Sequence, residues 1–189
     1  INLGAVLKDL GKLQEALDSY LEALKINTKL SNIYNIISKF LRDADPSQMN
    51  ELQLKYILNI LLERNDISHK ELFQTFKFIY GNELIDTIKR LQLDSFKEDS
   101  FQLFIKDASI INALKKIQFR DTELEKVLKK FRRSMCDRIA ENKNRISYSQ
   151  LQFIIPLGEQ CFLNEYIYSF TKEEQISINK ILNKCIDGE

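Results

Sequence analysis

The chain has 189 residues, of which 44% are hydrophobic and 29% charged, with a formal net charge of +1. This length holds one domain, or a short repeat segment joined to a modest one, and the near-neutral balance gives no bulk signal for nucleic acid or an anionic membrane. Five Gly and two Pro favour an all-α fold, because helix interiors exclude both residues whereas strand-and-turn folds need them.

The first predicted element is a helical hairpin. The chain opens Asn2-Leu3-Gly4-Ala5-Val6-Leu7-Lys8-Asp9-Leu10-Gly11, and Ala16, Tyr20, Ala23 and Leu24 follow. Gly4 and Ala16 are small and let two antiparallel helices approach closely. Leu3, Leu7, Tyr20 and Leu24 are expected to fill the seam. Gly11 sits where the first helix must stop, since glycine tolerates positive φ. Ala23 leaves room for the next helix. Together these residues resemble a tetratricopeptide repeat (TPR) over nearly its whole length, with Thr28 where that repeat usually has proline. The first few residues of such a repeat do not precede Ile1, and a lone repeat cannot bury its faces; stable arrays need about three. The resemblance therefore implies a truncated TPR array over 1–29, the chain being a piece of a longer protein.

Residues 30–46 read as a capping helix and linker. Ile33, Ile36, Ile37, Phe40 and Leu41 have helical spacing, and Pro46 disfavours helix at Asp45. From 47 to 189 the pattern predicts a second, irregular all-helical domain, with helices over 48–63, 69–79, 81–92, 99–106, 108–117, 122–140, 148–168 and 172–186. Four capping boxes mark starts: Ser68 with Glu71, Thr122 with Glu125, Ser147 with Gln150, and Thr171 with Glu174. In the helix over 122–140, Leu124, Val127, Leu128, Phe131, Met135 and Ile139 make one apolar stripe. Pro156 falls inside an apolar run and is expected to kink or split its helix. Phe101 to Ile105 alternates weakly but is too short and isolated for a strand.

Chemistry-bearing residues are sparse. Cys136, Cys161 and Cys185 are far apart and form no C-x-x-C pair, which argues against a disulfide framework or zinc site and fits a reducing cytoplasm. The single histidine, His69, lies in a predicted first helical turn without a cysteine partner, so metal binding and Ser–His catalysis lack support. Without a Gly-rich phosphate loop or a strand–turn–helix unit, no cofactor site is expected here. No apolar run reaches the ~20 residues that span a bilayer. The basic run Lys126, Lys129, Lys130, Arg132 and Arg133 is expected on a solvated outer face, although a nucleic-acid surface would use the same residues. Gln160, Asn164 and Glu165 stand among large apolar residues and imply either a buried polar network that locks packing or a contact surface for an adjoining domain.

Two resemblances extend the reading. Asn-Leu-Gly-x-x-Leu-Lys at the start is similar to repeats of the O-linked N-acetylglucosamine transferase type, where the asparagine matching Asn2 lines the concave face and holds client backbone amides. By position, Ala5, Lys8 and Asp9 would share that polypeptide-binding surface; an exposed asparagine at an ordinary repeat position reads the same. Residues 107–186, through Asp121-Thr-Glu-Leu-Glu-Lys-Val-Leu and Gln160-Cys-Phe-Leu-Asn-Glu-Tyr, resemble the helical region of bacterial TPR-containing methyltransferases. That resemblance implies a following S-adenosylmethionine-binding catalytic domain. The expectation is a protein-binding scaffold segment, not itself an enzyme, whose partners are a polypeptide client and an adjoining C-terminal domain. The alternatives are an integral, substrate-covering part of a methyltransferase and a nucleic-acid-binding helical domain.

Overall fold

The computed structural model describes residues 1–27, 31–93, 107–141, 146–163 and 169–187. All regular structure among them is helical, as the composition predicts. The helices predicted over 99–106, the weak alternation from Phe101 to Ile105, and Thr28, Asn164 and Glu165 lie outside the described residues. The chain forms two compact units, Ile1–Asn82 and Glu83–Glu189.

In the first unit, α1 (Asn2–Asp9) and α2 (Leu13–Ile26) pack as a hairpin. Gly11 ends α1 at φ 75°. Its N–H donates to the Lys8 carbonyl, and the Lys12 N–H donates to the Leu7 carbonyl, both at 2.9 Å. That double bond pattern satisfies carbonyls the helix leaves open. Gly4 lies against the Tyr20 ring, where a Cβ would come within 2.6 Å of ring carbon Cε1. The seam is narrower than expected, because Leu3 is 63% exposed and Leu7 is only half-buried. Leu3 and Val6 on the two-turn α1, with Leu10 just beyond its end, instead form an outward stripe.

The core of this unit is built from α2, α3 (Ser31–Asp43) and α4 (Glu51–Glu63). Ala16, Leu17, Ile33, Ile37, Leu41, Leu54 and Leu58 are fully buried, and Tyr20 meets Phe40 edge-on with centroids 5.3 Å apart. Start signals decide where α4 begins. The Asp45 carboxylate caps a 3₁₀ turn over Pro46–Gln48, and Asn50 accepts from the Gln53 N–H, so the helix starts at Glu51 rather than at 48. The Gln14 side chain then ties α2 to this cap, accepting from the Asn50 N–H and donating to Gln53 Oε1, each at 2.7 Å.

The box at Ser68 is not formed. His69–Leu72 is a 3₁₀ turn without a side-chain cap bond, and buried Glu71 pairs with Arg42 at 3.2 Å. The two helices expected over 69–79 and 81–92 are one, α5 (Phe73–Leu93). Gly81 is buried inside it and does not break it, because the apolar side chains Tyr80, Leu84 and Ile88 continue the buried face and one mid-helix glycine costs only about 1 kcal/mol.

The second unit contains α6 (Ala108–Lys116), α7 (Thr122–Ala140), α8 (Tyr148–Leu163) and α9 (Lys172–Asp187). Phe119, Leu124, Leu128, Phe131, Phe153 and Leu157 form its core, with Phe131 and Phe153 edge-to-face at 5.3 Å. The cap of α7 is Asp121, not Thr122; its carboxylate takes the N–H groups of Glu123 and Leu124. The other two boxes close reciprocally. Gln150 and Glu174 side chains accept from the Ser147 and Thr171 N–H groups, at 3.0 and 3.1 Å, while the Ser147 and Thr171 hydroxyls take the N–H of Gln150 and Glu174. Pro156 sits inside α8 without splitting it.

The Gly4–Tyr20 approach sets a test. Gly4→Ala forces a methyl into a ring that is itself buried, and such overpacking costs about 1–3 kcal/mol, more than the helix propensity alanine gains. Thermal denaturation of the full chain is expected to show a lowered first transition for Gly4→Ala although alanine is the better helix former, while Ala5→Gly loses only the roughly 1 kcal/mol of helix propensity; equal stabilities of wild type and Gly4→Ala would refute the close-approach role.

Candidate functional site

The residues expected to meet a polypeptide lie on α1. Asn2, Ala5 and Asp9 are exposed and, at spacings of three and four, share one face. Among the described residues the Asn2 carboxamide makes no hydrogen bond, so its donor and its acceptor are both available. Asp9 lies near the Tyr20 hydroxyl, whose pKa is raised first by burial and then by this carboxylate.

Lys8 is engaged differently. Its ammonium reaches Asp43 Oδ2 on α3 at 3.1 Å. Asp43 Oδ1 also takes Arg42 Nε at 2.7 Å, and Arg42 Nη1 reaches Glu71 at 3.2 Å. A charged chain thus runs from α1 across α3 to the 3₁₀ turn before α5. Hydrogen bonds from Arg42 and then Lys8 pull the Asp43 carboxyl down to about 2. Lys8, Asp43 and Arg42 are open to solvent and only Glu71 is buried, so the outer part of the chain orients side chains more than it stabilises the fold.

His69 has a local structural role: its Nε2 lies 2.9 Å from the Arg64 carbonyl oxygen. Arg64 stacks over the Tyr34 ring at 3.8 Å and pairs with Asp66, fixing the turn after α4.

In the second unit the basic run departs from the expected outer face at one position. Arg132 is buried, and its Nε and Nη2 donate to the two carboxylate oxygens of Glu174 at 2.8 and 3.1 Å. Nη2 also donates to the Ser169 carbonyl, and the Phe170 ring lies 4.3 Å from the guanidinium carbon. Burial raises the Glu174 carboxyl, but hydrogen bonds from Arg132 and the Thr171 N–H overcome it and leave the pKa below its ordinary value. The sequence contained this signal. Leu124, Leu128 and Arg132 recur every four residues, so Arg132 belongs to the buried stripe and its neighbours Lys129 and Arg133 to the flanks. Lys129 pairs with Glu125, and Arg133 faces Glu173 at 3.8 Å.

Gln160 is completely buried. Its amide nitrogen donates to the carbonyls of Leu114 and Ile117 at 2.9 and 2.7 Å, and its oxygen accepts from the Phe119 N–H at 3.2 Å. Of the two readings for this residue, it occupies the buried network.

Two of the thiols, Cys136 and Cys161, are poor nucleophiles. Burial pushes Cys136 up to about 11 and raises Cys161 as well, so both are protonated at neutral pH. Among the described residues, no group of three or more His, Cys, Asp and Glu could hold a metal, and no helix is long and apolar enough to cross a membrane. No protein-family model, curated protein or solved structure matches the chain.

Three outcomes follow. Carbon-detected NMR titration is expected to place the Asp43 carboxyl near 2 and to move it upward more in Arg42→Ala than in Lys8→Ala; an ordinary value in the wild type would remove the charged chain. Alkylation of the folded chain near pH 7 should modify exposed Cys185 well before Cys136 or Cys161, and mass spectrometry showing equal rates would contradict their burial. Finally, a carboxyl with a depressed folded pKa stabilises fully above its unfolded pKa, and that stability is lost as pH falls through the folded value. Denaturant melts of Glu174→Gln should therefore lose roughly 3–5 kcal/mol at neutral pH, the cost of stranding a buried Arg, with the gap to wild type closing as pH drops below the carboxylate range.

Proposed function

We propose that the chain is a protein-binding scaffold segment that carries no chemistry of its own and uses the α1 face of Asn2, Ala5, Lys8 and Asp9 to hold a polypeptide. The observation that carries this reading is the Asn2 carboxamide, exposed and without a partner among the described residues, beside a small residue, Ala5. Such a group pairs with any peptide bond, because it offers one donor and one acceptor function, and Ala5 leaves the space for a backbone to approach. The neighbouring Lys8–Asp43 bridge supports the reading by holding a charged rim in a fixed position. The resemblance of Asn2–Leu24 to a TPR points the same way. Three free thiols suit a reducing cytoplasm.

A second reading, an integral part of a methyltransferase that covers substrate, draws on large apolar side chains left exposed on the last helices: Ile155 and Phe162 on α8, and Ile176, Leu182 and Ile186 on α9. An adjoining domain would cover such side chains. In that context S-adenosylmethionine would belong to the neighbouring domain.

The test uses a peptide selected from a random display library against the full chain. A photo-crosslinking residue at Ala5 is expected to capture the peptide, and Asn2→Ala to weaken it about 3–10-fold, the loss of one or two hydrogen bonds. Unchanged affinity in Asn2→Ala with no capture from position 5 would sink the scaffold reading at this face. Methyl transfer by the chain alone would contradict the absence of chemistry.

A further inference from the structure

The outward sides of α6 and α8, within the second unit, leave a groove of about 420 Å³. Its walls are two helical stripes, one from Ala108 through Ile111 and Asn112 to Lys115, the other from Tyr148 through Leu151 and Gln152 to Ile155 and Pro156. Each follows the i, i+3, i+4, i+7 pattern, so each presents one face to the groove. Tyr148, Leu151 and Ile155 are 75%, 40% and 57% exposed, although their neighbours Phe153 and Leu157 are buried. The apolar floor is therefore not part of the core.

We propose that this groove binds an extended, acidic and apolar segment of a partner polypeptide. Three observations fix the occupant. The first is hydrogen bonding. Asn112 and Gln152 are half-buried, yet among the described residues their carboxamides have no hydrogen-bond partner. Pro156 also has no N–H to give the Gln152 carbonyl one turn earlier. An extended segment brings its own unpaired N–H and C=O groups and matches this set of donors and acceptors. A helix does not, because its backbone is satisfied internally.

The second observation is charge. Among the described residues, Lys115 is the one charged residue in the lining, no carboxylate lines the groove, and Lys115 has no ion-pair partner. A carboxylate on the partner is its complement. The third is length. Two helical turns span ~10 Å, the reach of about three extended residues, so two apolar side chains of the segment can rest on Ile111, Leu151 and Ile155 while an acidic one meets Lys115. This groove is separate from the α1 face and stands whether or not that face binds a polypeptide.

The test is fluorescence anisotropy with the full chain and a fluorescein-labelled octapeptide in which Leu and Val alternate with Asp. Asn-for-Asp and Lys-for-Asp versions and a helix-constrained version form the comparison arms. The acidic extended peptide is expected to bind most tightly. Lys115→Glu should weaken it at least fivefold and favour the Lys version instead. Ile155→Asp, at an exposed position, should abolish binding without changing the melting temperature, and Asn2→Ala should leave it untouched. Unchanged affinity in Lys115→Glu and Ile155→Asp overturns the proposal. So does preference for the constrained helix. Sedimentation of the chain as a dimer that Ile155→Asp dissociates would assign the groove to a second copy and likewise overturn it, as would a monomer that binds none of the peptides.

Discussion

The backbone groups that every helix end leaves open are the constraint on which this structure depends. A chain that is almost all helix has many such ends, and each buried one costs free energy until something bonds it. The solutions are side chains in specific places. Gly11 folds the end of α1 back on itself. Asn50, Asp107 and Asp121 cap the starts of α4, α6 and α7, and Ser147 and Thr171 those of α8 and α9. Gln160 makes the most consequential bonds. From the last turn of α8 it donates to two carbonyls at the end of α6 and accepts from the N–H of Phe119, so the exit of one helix is sealed only when the other is docked. Local chain termination and tertiary packing become a single event.

The Arg132–Glu174 pair applies the same logic to charge. Two buried ions are expensive to desolvate, and a bidentate geometry with further hydrogen bonds offsets that cost without a large surplus. The Ser169 carbonyl, the Phe170 ring and the Thr171 N–H supply those further contacts. The pair specifies where α9 sits on α7, because an apolar contact would tolerate sliding by a turn and a forked ion pair does not. Ser177 to Asp137 at 2.7 Å and Lys184 to the Ala140 carbonyl at 2.8 Å continue that register along the two helices.

At the α1 face the division of labour is the reverse. Gly4 and Tyr20 fix the position of α1, and what remains is a two-turn helix whose Asn2, Ala5 and Asp9 face water. Lys8 is held by Asp43, which Arg42 also holds, and this leaves, among the described residues, one uncommitted carboxamide next to an ordered charged rim. The groove between α6 and α8 repeats the motif of carboxamides without a partner among the described residues beside one ordered wall, with Asn112 and Gln152 in place of Asn2. In both, helices whose other sides are committed to packing hold uncommitted polar groups at fixed spacing.

The sequence by itself determined the helical class, most element positions, the stop at Gly11 and the two reciprocal boxes at Ser147 and Thr171, because these follow from propensity and contacts three to five residues apart. The apolar stripe of α7 was legible for the same reason, and it held the clue that Arg132 faces inward. The tertiary structure alone decided the exposure of Leu3, the fusion of two expected helices through Gly81, the diversion of Glu71 from a cap to Arg42, and the partners of Arg132 and Gln160. Each depends on a residue 29 to 46 positions away or on how deep a short helix can sit against its neighbours, and neither leaves a periodic trace along the chain.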